Sequence, residues 1–111
     1  MASPRRARRQ PLGTTAATTS LASKIRNGSD FIVAPGVFDM LSAKIADRLG
    51  FHAIYMTGSG TVASFLGLPD AGIATYTDMV SRAGRIASGT VTPLIADADT
   101  GYGEVPQVIH T

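Results

Sequence analysis

Two aspartates at the end of a short apolar segment constrain this chain more than any other feature. Residues 92–96 (TPLIA) predict a buried strand opened by a proline, and Asp97 and Asp99 follow it at once. Because successive side chains of a strand alternate between its faces, we expect both carboxylates on the same face. Such a pair suits a hard divalent cation such as Mg²⁺, which prefers oxygen ligands. Taken alone, D-x-D favours the plainer alternative, a polar strand-to-loop junction with two solvated aspartates.

Short apolar segments alternate with helical patterns along the preceding chain. The strand–helix–strand order with short connections predicts a parallel, right-handed βαβ unit. In chain order, the patterns predict a helix over 20–27, a strand over 31–34, a helix over 39–49, a strand over 53–56, an irregular segment over 57–72, a helix that begins after Thr75 and stops at Gly89, and a strand over 92–96.

Both longer helices carry an apolar stripe that we expect to face the core. The second also begins with a T-x-x-D capping signature at Thr75 and Asp78. The stripe residues are Phe38, Leu41, Ile45 and Leu49 with Ala46 beside them in the first helix, and Val80, Ala83, Ile86 and Ala87 in the second.

The charge of the chain is unevenly distributed. Arg5, Arg6, Arg8 and Arg9 leave six of the ten basic residues for the rest of the chain, against eight acidic ones. Residues 1–18 are predicted to be a disordered basic leader, with an organelle transit peptide or a nucleic-acid-binding arm as alternatives. The mildly acidic body argues against nucleic acid as a partner. Absence of cysteine and of a long apolar run predicts no disulfide and no membrane partner, and we expect a cytoplasmic or, if the leader targets it, an organellar protein.

A glycine-rich segment follows the second predicted strand. Residues 58–63 (GSGTVA) match the G-x-G-x-x-A dinucleotide fingerprint, but Gly67, Pro69 and Gly72 leave little room for the helix that this motif requires. A glycine-rich loop with tight turns fits better. The interpretation we favour is a nest of backbone N–H groups over 57–60 that binds a carboxylate or an oxyanion.

Polar or glycine-rich residues therefore follow all three predicted strands, at 35–36, 57–60 and 97–103. In a (β/α)₈ barrel of the TIM type, the active site lies at this carboxyl end of the strands. The fold class predicted is α/β, the N-terminal part of such a barrel with about three βα units. A whole barrel of this type needs about 250 residues, so we expect residues 19–111 to be a partial domain.

Four motifs resemble the isocitrate lyase/phosphoenolpyruvate mutase superfamily, and the resemblance spans about residues 20–108. They are residues 34–39 (APGVFD), 55–60 (YMTGSG), 67–70 (GLPD) and 97–103 (DADTGYG). The similarity is greatest to the short bacterial branch, which includes methylisocitrate lyases, dimethylmalate lyase, oxaloacetate decarboxylases and carboxyphosphoenolpyruvate mutases.

The resemblance implies a phosphoenolpyruvate-binding barrel dependent on Mg²⁺ or Mn²⁺, acting on small 2-oxo or 2-hydroxy acids through a pyruvate-type enolate. It implies a carbon–carbon lyase or decarboxylase, with a phosphonomutase as the alternative and a non-catalytic remnant as another. A homo-oligomer, tetrameric in the family, is also implied. By position, Asp97 and Asp99 would hold the metal, and backbone groups of Thr57, Gly58 and Ser59 would bind substrate. Tyr55, in the pocket wall, and Asp70, in a loop on the metal side, would serve catalysis.

The chain also departs from the family pattern. Thr57 and Ser59 replace the more common serine and glycine. The gating loop, which distinguishes lyases from mutases, and a further metal-binding glutamate would fall after residue 111. We therefore expect residues 1–111 alone to be inactive.

Overall fold

The computed structural model describes residues 20–28 and 31–111, so the predicted leader at 1–18 lies outside the described residues. No described helix is long and apolar enough to cross a bilayer. The elements are α1 (Leu21–Asn27), β1 (Gly36–Val37), α2 (Met40–Leu49), β2 (Ile54–Met56), α3 (Gly58–Leu66), α4 (Tyr76–Gly89), β3 (Leu94–Ala96) and α5 (Val105–His110).

The three described strands form one parallel sheet in the order β1-β2-β3. Backbone pairing continues past the strand ends, because Thr57 N–H donates to the Val37 carbonyl and Asp97 N–H to the Met56 carbonyl, each at 3.0 Å. The carboxyl ends of all three strands therefore meet at one edge. This confirms the predicted parallel α/β architecture.

The prediction of a first strand at 31–34 is wrong. The strand lies at Gly36–Val37, Phe31 is 87% exposed, and Val37 is the buried residue of this segment. Tyr55 N–H donates to the Pro35 carbonyl, which sets the register of Gly36 opposite Tyr55. The proline expected to end the strand instead supplies its first sheet hydrogen bond.

Helix α2 begins with a capping box and ends at Gly50, which has a φ of +75°. The main chain of Ser42 donates to Asp39 Oδ1 at 2.7 Å. The helix is as predicted, but its buried face is not. Ala43 and Ala46 face the core, whereas the larger stripe is exposed: Phe38, Leu41, Ile45 and Leu49.

Residues 58–66 form helix α3, so the prediction of an irregular segment throughout 57–72 is wrong in its first half. Thr57 is the N-cap and Gly67, at a φ of +66°, the C-cap. Only residues 67–75 form a connecting loop before α4.

Helix α4 has the predicted Thr75–Asp78 capping box and ends at Gly89. Ile86 is fully buried as expected, but Met79 is the second buried residue, and Val80 is 46% exposed. The core lies between the sheet and helices α2 and α4, and it consists mainly of Val37, Ala43, Ile54, Met56, Met79 and Ile86.

The central strand separates core from site. Ile54 and Met56 are fully buried on the helix side, and alternation along the strand places Tyr55 on the opposite face. Tyr55 pairs with Ile95 in register, so Asp97, two residues beyond Ile95, shares the face of Tyr55. The fold thus brings a tyrosine and an aspartate together at the carboxyl edge.

Candidate active site

The carboxylate of Asp97 is the centre of the polar cluster at this edge. Its Oδ2 accepts a 2.9 Å hydrogen bond from the Tyr55 hydroxyl and a 3.2 Å bond from Gly58 N–H. Its Oδ1 accepts a 2.8 Å bond from Asp99 N–H. Three donors from β2, α3 and the loop after β3 therefore fix a single carboxylate.

These donors also set its protonation state. The pKa of Asp97 lies below its usual value, first because of Asp99 N–H, then because of the Tyr55 hydroxyl, with partial burial acting in the opposite direction and Gly58 N–H adding to the decrease. Conversely, the hydrogen bond to Asp97 raises the pKa of Tyr55, with burial and the charge of Asp97 contributing. At neutral pH the pair is a carboxylate and a neutral phenol.

A glycine is required where α3 begins. A Cβ atom on Gly58 would lie 2.8 Å from Asp97 Oδ2 and 3.5 Å from Asp70 Oδ2. The absence of a side chain lets the helix N-terminus approach the carboxylate closely, and the partial positive charge of that terminus favours an anion there. The predicted N–H nest at 57–60 is thus the first turn of a helix.

The residues after Asp97 form a tight turn rather than an extended strand. Gly101 N–H donates to the Ala98 carbonyl at 2.8 Å, and Asp99 has a φ of +45°. The Tyr102 hydroxyl donates back to the Asp97 carbonyl at 2.9 Å. Because the strand ends at Ala96, Asp99 does not share a strand face with Asp97 as predicted. The turn instead brings Asp99 to the same cavity as Asp97.

Asp70 reaches the cluster from the loop between α3 and α4. Its Oδ2 accepts a 2.7 Å hydrogen bond from the Ser59 hydroxyl, which projects from the first turn of α3. Together these residues surround an open cavity of about 60 Å³, whose lining includes Gly58, Asp70, Asp97, Asp99 and Tyr102, with Met79 on the apolar side.

Most of the residues predicted for the site come together here. Tyr55, Gly58, Ser59, Asp70, Asp97 and Asp99 contact one another or line this cavity. Thr57 is different, because its N–H is used in the sheet and its buried hydroxyl has no partner among the described residues.

Tyr102, a residue of the DADTGYG motif, also lines the cavity. Burial, followed by the charges of Asp97, Asp99 and Asp70, raises its pKa, so its hydroxyl stays protonated at neutral pH. Its place in the DADTGYG motif was the signal that pointed to it.

The donor set fits a hard cation. Three carboxylates border the cavity, and no lysine, arginine or histidine of the described chain lines it. Oxygen donors of this kind are those that Mg²⁺ or Mn²⁺ prefer, usually with water completing the coordination. Within residues 20–28 and 31–111, no three acidic, histidine or cysteine side chains converge closely enough to make a complete metal site. Further oxygen ligands, beyond those of the described residues, would have to complete the coordination.

Comparison with protein families matches the phosphoenolpyruvate phosphomutase family over residues 21–111. The chain belongs to this family. The superfamily resemblance carried by the four motifs is thereby confirmed, since a structural neighbour is described as a member of the PEP mutase/isocitrate lyase superfamily.

Individual relatives are lyases and hydrolases of small acids. The chain is 46% identical over 94 residues to 2,3-dimethylmalate lyase of Eubacterium barkeri, covering 85% of this chain and 32% of that protein. A crystal structure of 2,3-dimethylmalate lyase superposes with a TM-score of 0.76 at 52% identity, over 83% of this chain and 33% of that one. Oxaloacetate acetylhydrolase superposes with a TM-score of 0.72 at 50% identity, over 78% and 31%. The chain thus spans about a third of the length of the proteins it matches.

Proposed function

We propose that the protein is a Mg²⁺- or Mn²⁺-dependent lyase that cleaves or decarboxylates small 2-oxo or 2-hydroxy acids. The observation that carries this proposal is the Asp97 carboxylate, fixed by three donors beside Asp70 and Asp99 at an open cavity. Membership of the family and similarity to dimethylmalate lyase support it. The bound cation would stabilise the negative charge that develops on a pyruvate-type enolate oxygen.

The residues of the chain have separate roles in this proposal. Asp97 and Asp99 hold the cation, Asp97 directly and Asp99 directly or through water. Tyr55 holds Asp97 in place from behind, and it is not itself among the residues that line the cavity described here. Ser59, with Thr57 and Gly58 before it, forms the substrate-carboxylate site at the start of α3, where the first N–H groups of a helix have no intrahelical partner.

Hydrogen bonds within the chain limit which N–H groups at the start of α3 can bind substrate. The N–H groups of Thr57 and Gly58 donate to Val37 and Asp97. Ser59 N–H is therefore the donor of this set that a substrate carboxylate can use without breaking a bond described here. Thr57 occupies the N-cap position of α3, but its side chain makes no capping hydrogen bond.

We also propose that the described elements are the first part of a (β/α)₈ barrel. The three strands are parallel and consecutive, and α2 and α4 cover one face. Tyr55 and Asp97 lie on the other face, which becomes the barrel interior. The polar edge then corresponds to the carboxyl face at which barrel active sites lie.

A phosphonomutase acting on phosphoenolpyruvate or carboxyphosphoenolpyruvate is the second candidate, favoured by the description of the matching family. Both chemistries use an enolate of pyruvate, so the described residues serve either. A homo-oligomeric state, a small carboxylic acid as the only partner besides the metal, and a cytoplasmic location remain predictions.

The test is turnover by the full-length protein with Mg²⁺. The candidate substrates are 2,3-dimethylmalate, 2-methylisocitrate and oxaloacetate for a lyase, and phosphoenolpyruvate or carboxyphosphoenolpyruvate for a mutase. Asp97→Ala should abolish turnover and Asp99→Ala should weaken its metal dependence, whereas the control Asp47→Asn, at the opposite end of the sheet, should retain it. Undiminished turnover by Asp97→Ala in the presence of a chelator would refute the proposal.

A further inference from the structure

Residues 67–73, in the loop between α3 and α4, make a single side-chain hydrogen bond to the remainder of the described chain. Residues 67–73 are all exposed, and Gly67 and Gly72 both have positive φ values. Within the described residues, the bond from Ser59 Oγ to Asp70 Oδ2 is the only side-chain hydrogen bond that reaches residues 67–73. The loop nevertheless supplies Asp70 and Gly72 to the lining of the cavity.

Ser59 is well placed to hold this loop. It lies in the first turn of α3, one residue after the glycine that contacts Asp97, so a rigid helix carries its hydroxyl. The 2.7 Å bond from a neutral hydroxyl to a carboxylate is charge-assisted, and bonds of this type are stronger than neutral ones. A glycine at this position could not make the bond.

We propose that Ser59 is a positioning residue whose hydroxyl holds Asp70, and with it residues 67–73, against the cavity in the substrate-ready arrangement. The reaction to which this applies rests on the proposed lyase function. Loss of the hydroxyl frees the loop and lets Asp70 leave the cavity, while Asp97 and its three donors stay in place. Because substrate binding then has to bring residues 67–73 back against the cavity before the reaction, the expected consequence is weaker substrate binding with little change in the chemical step.

The test compares Ser59→Ala, Ser59→Thr and the control Ser88→Ala in the full-length protein. Ser88 lies near the far end of α4, and within the part of the chain that the structure describes its hydroxyl donates only to the Arg85 carbonyl. Ser59→Ala should raise KM about fivefold, the factor that corresponds to a hydrogen bond of about 1 kcal/mol, with kcat within about twofold. Ser59→Thr keeps a hydroxyl and should restore KM, and Ser88→Ala should leave both constants unchanged.

A second measurement needs no substrate. Thermolysin cuts before isoleucine, so cleavage at Gly72–Ile73, identified by mass spectrometry, reports on this loop. The initial rate at this bond should rise about fivefold in Ser59→Ala and return in Ser59→Thr.

The two measurements separate the possible failures. Unchanged cleavage in Ser59→Ala would overturn the proposal, because the loop would then be held by something else. Faster cleavage with an unchanged KM would also overturn it, since the bond would be purely structural. If the wild-type protein turns over none of the candidate substrates, the proposed lyase function fails, and cleavage of the loop alone decides whether Ser59 holds Asp70.

Discussion

The Tyr55 hydroxyl donates a 2.9 Å hydrogen bond to Asp97 Oδ2, joining residues 42 positions apart on neighbouring parallel strands. The bond forms on the face opposite the buried Ile54 and Met56, so core packing fixes the tyrosine from behind. The same carboxylate also binds the N-terminus of α3 and the turn after β3. One side chain therefore links β2, the start of α3 and the turn after β3.

Tyr55→Phe should test the positioning role of this bond. The change removes one of three donors to Asp97 without altering the ring, so we expect the Mg²⁺ concentration needed for half-maximal turnover to rise about 10- to 100-fold, as for other residues that orient metal ligands. The thermal midpoint should change little. Tyr76→Phe is the matched control, because its ring lies against His110 and outside the cavity. An unaltered metal requirement in Tyr55→Phe would show that the backbone donors suffice.

Two glycine-to-alanine changes should affect different properties: one should lower turnover and the other should raise stability. In Gly58→Ala the new Cβ would meet Asp97 Oδ2 at 2.8 Å, and the displaced carboxylate should lower turnover about 100-fold. Gly84 lies within α4, and a Cβ atom there would meet no atom within 4 Å beyond the backbone of its own helix, so Gly84→Ala should raise the free energy of unfolding by about 0.5–1 kcal/mol. Steady-state kinetics and urea unfolding measure the pair. Equal activity in the two variants would contradict the close approach of α3 to Asp97.

More of the site than of the fold could be predicted from the sequence. The DADTGYG motif located Asp97 and Asp99, the glycine-rich end of the second predicted strand located Gly58, and the family resemblance of the YMTGSG motif located Tyr55. The physical reason is that parallel strands must bring their carboxyl ends to one edge. The predicted reason for pairing the aspartates, a shared strand face, was wrong, because the strand ends at Ala96 and Asp99 reaches the cavity through a turn with positive φ.

The errors in the fold have a common origin in tertiary contacts. The apolar residues 31–34 resemble a strand, yet the sheet register begins at the Pro35 carbonyl. The glycines at 58 and 60 lower helix propensity, yet the acceptor at Asp97 satisfies the N-terminus of α3 and the helix forms. Neither contact is visible in a local window of sequence.

The apolar stripe of α2 was assigned to the wrong environment for a related reason. Periodicity shows that one face of a helix is apolar, but not which surface covers it. The face toward the sheet is formed by Ala43 and Ala46, whose small side chains permit close approach. Leu41 and Leu49 remain 70% and 68% exposed within the described chain.

Stability should depend on pH through Asp47. Its Oδ1 accepts hydrogen bonds from Thr92 N–H at 2.9 Å and Val91 N–H at 3.1 Å, tying α2 to the segment that enters β3. The bond from Thr92, followed by that from Val91, lowers the pKa of Asp47. The stabilisation is therefore complete above the unfolded-state pKa of about 3.9 and is lost as the pH falls through the lower folded-state value.

Asp47→Asn isolates this contribution. Wild type should be more stable than the variant at pH 7, and the difference in unfolding free energy should shrink as the pH falls below about 4. Urea unfolding at several pH values between about 7 and 3 measures it. A difference that stays constant over this range would mean that the charge of Asp47 does not contribute.

Residues 1–111 expressed alone should self-associate and show no lyase activity. Among the described strands, β1 and β3 each pair only with β2, so each leaves one edge open to another chain. The exposed Leu41, Ile45 and Leu49 add apolar surface beside the β1 edge, and three parallel strands cannot close the proposed barrel around Asp97. Solution scattering should show oligomers, thermal unfolding should be broad, and oxaloacetate should be consumed in the presence of Mg²⁺ no faster than in a protein-free control. A monodisperse monomer with a sharp transition and measurable turnover would instead mean that these residues form a complete α/β domain whose open edges are stable in water.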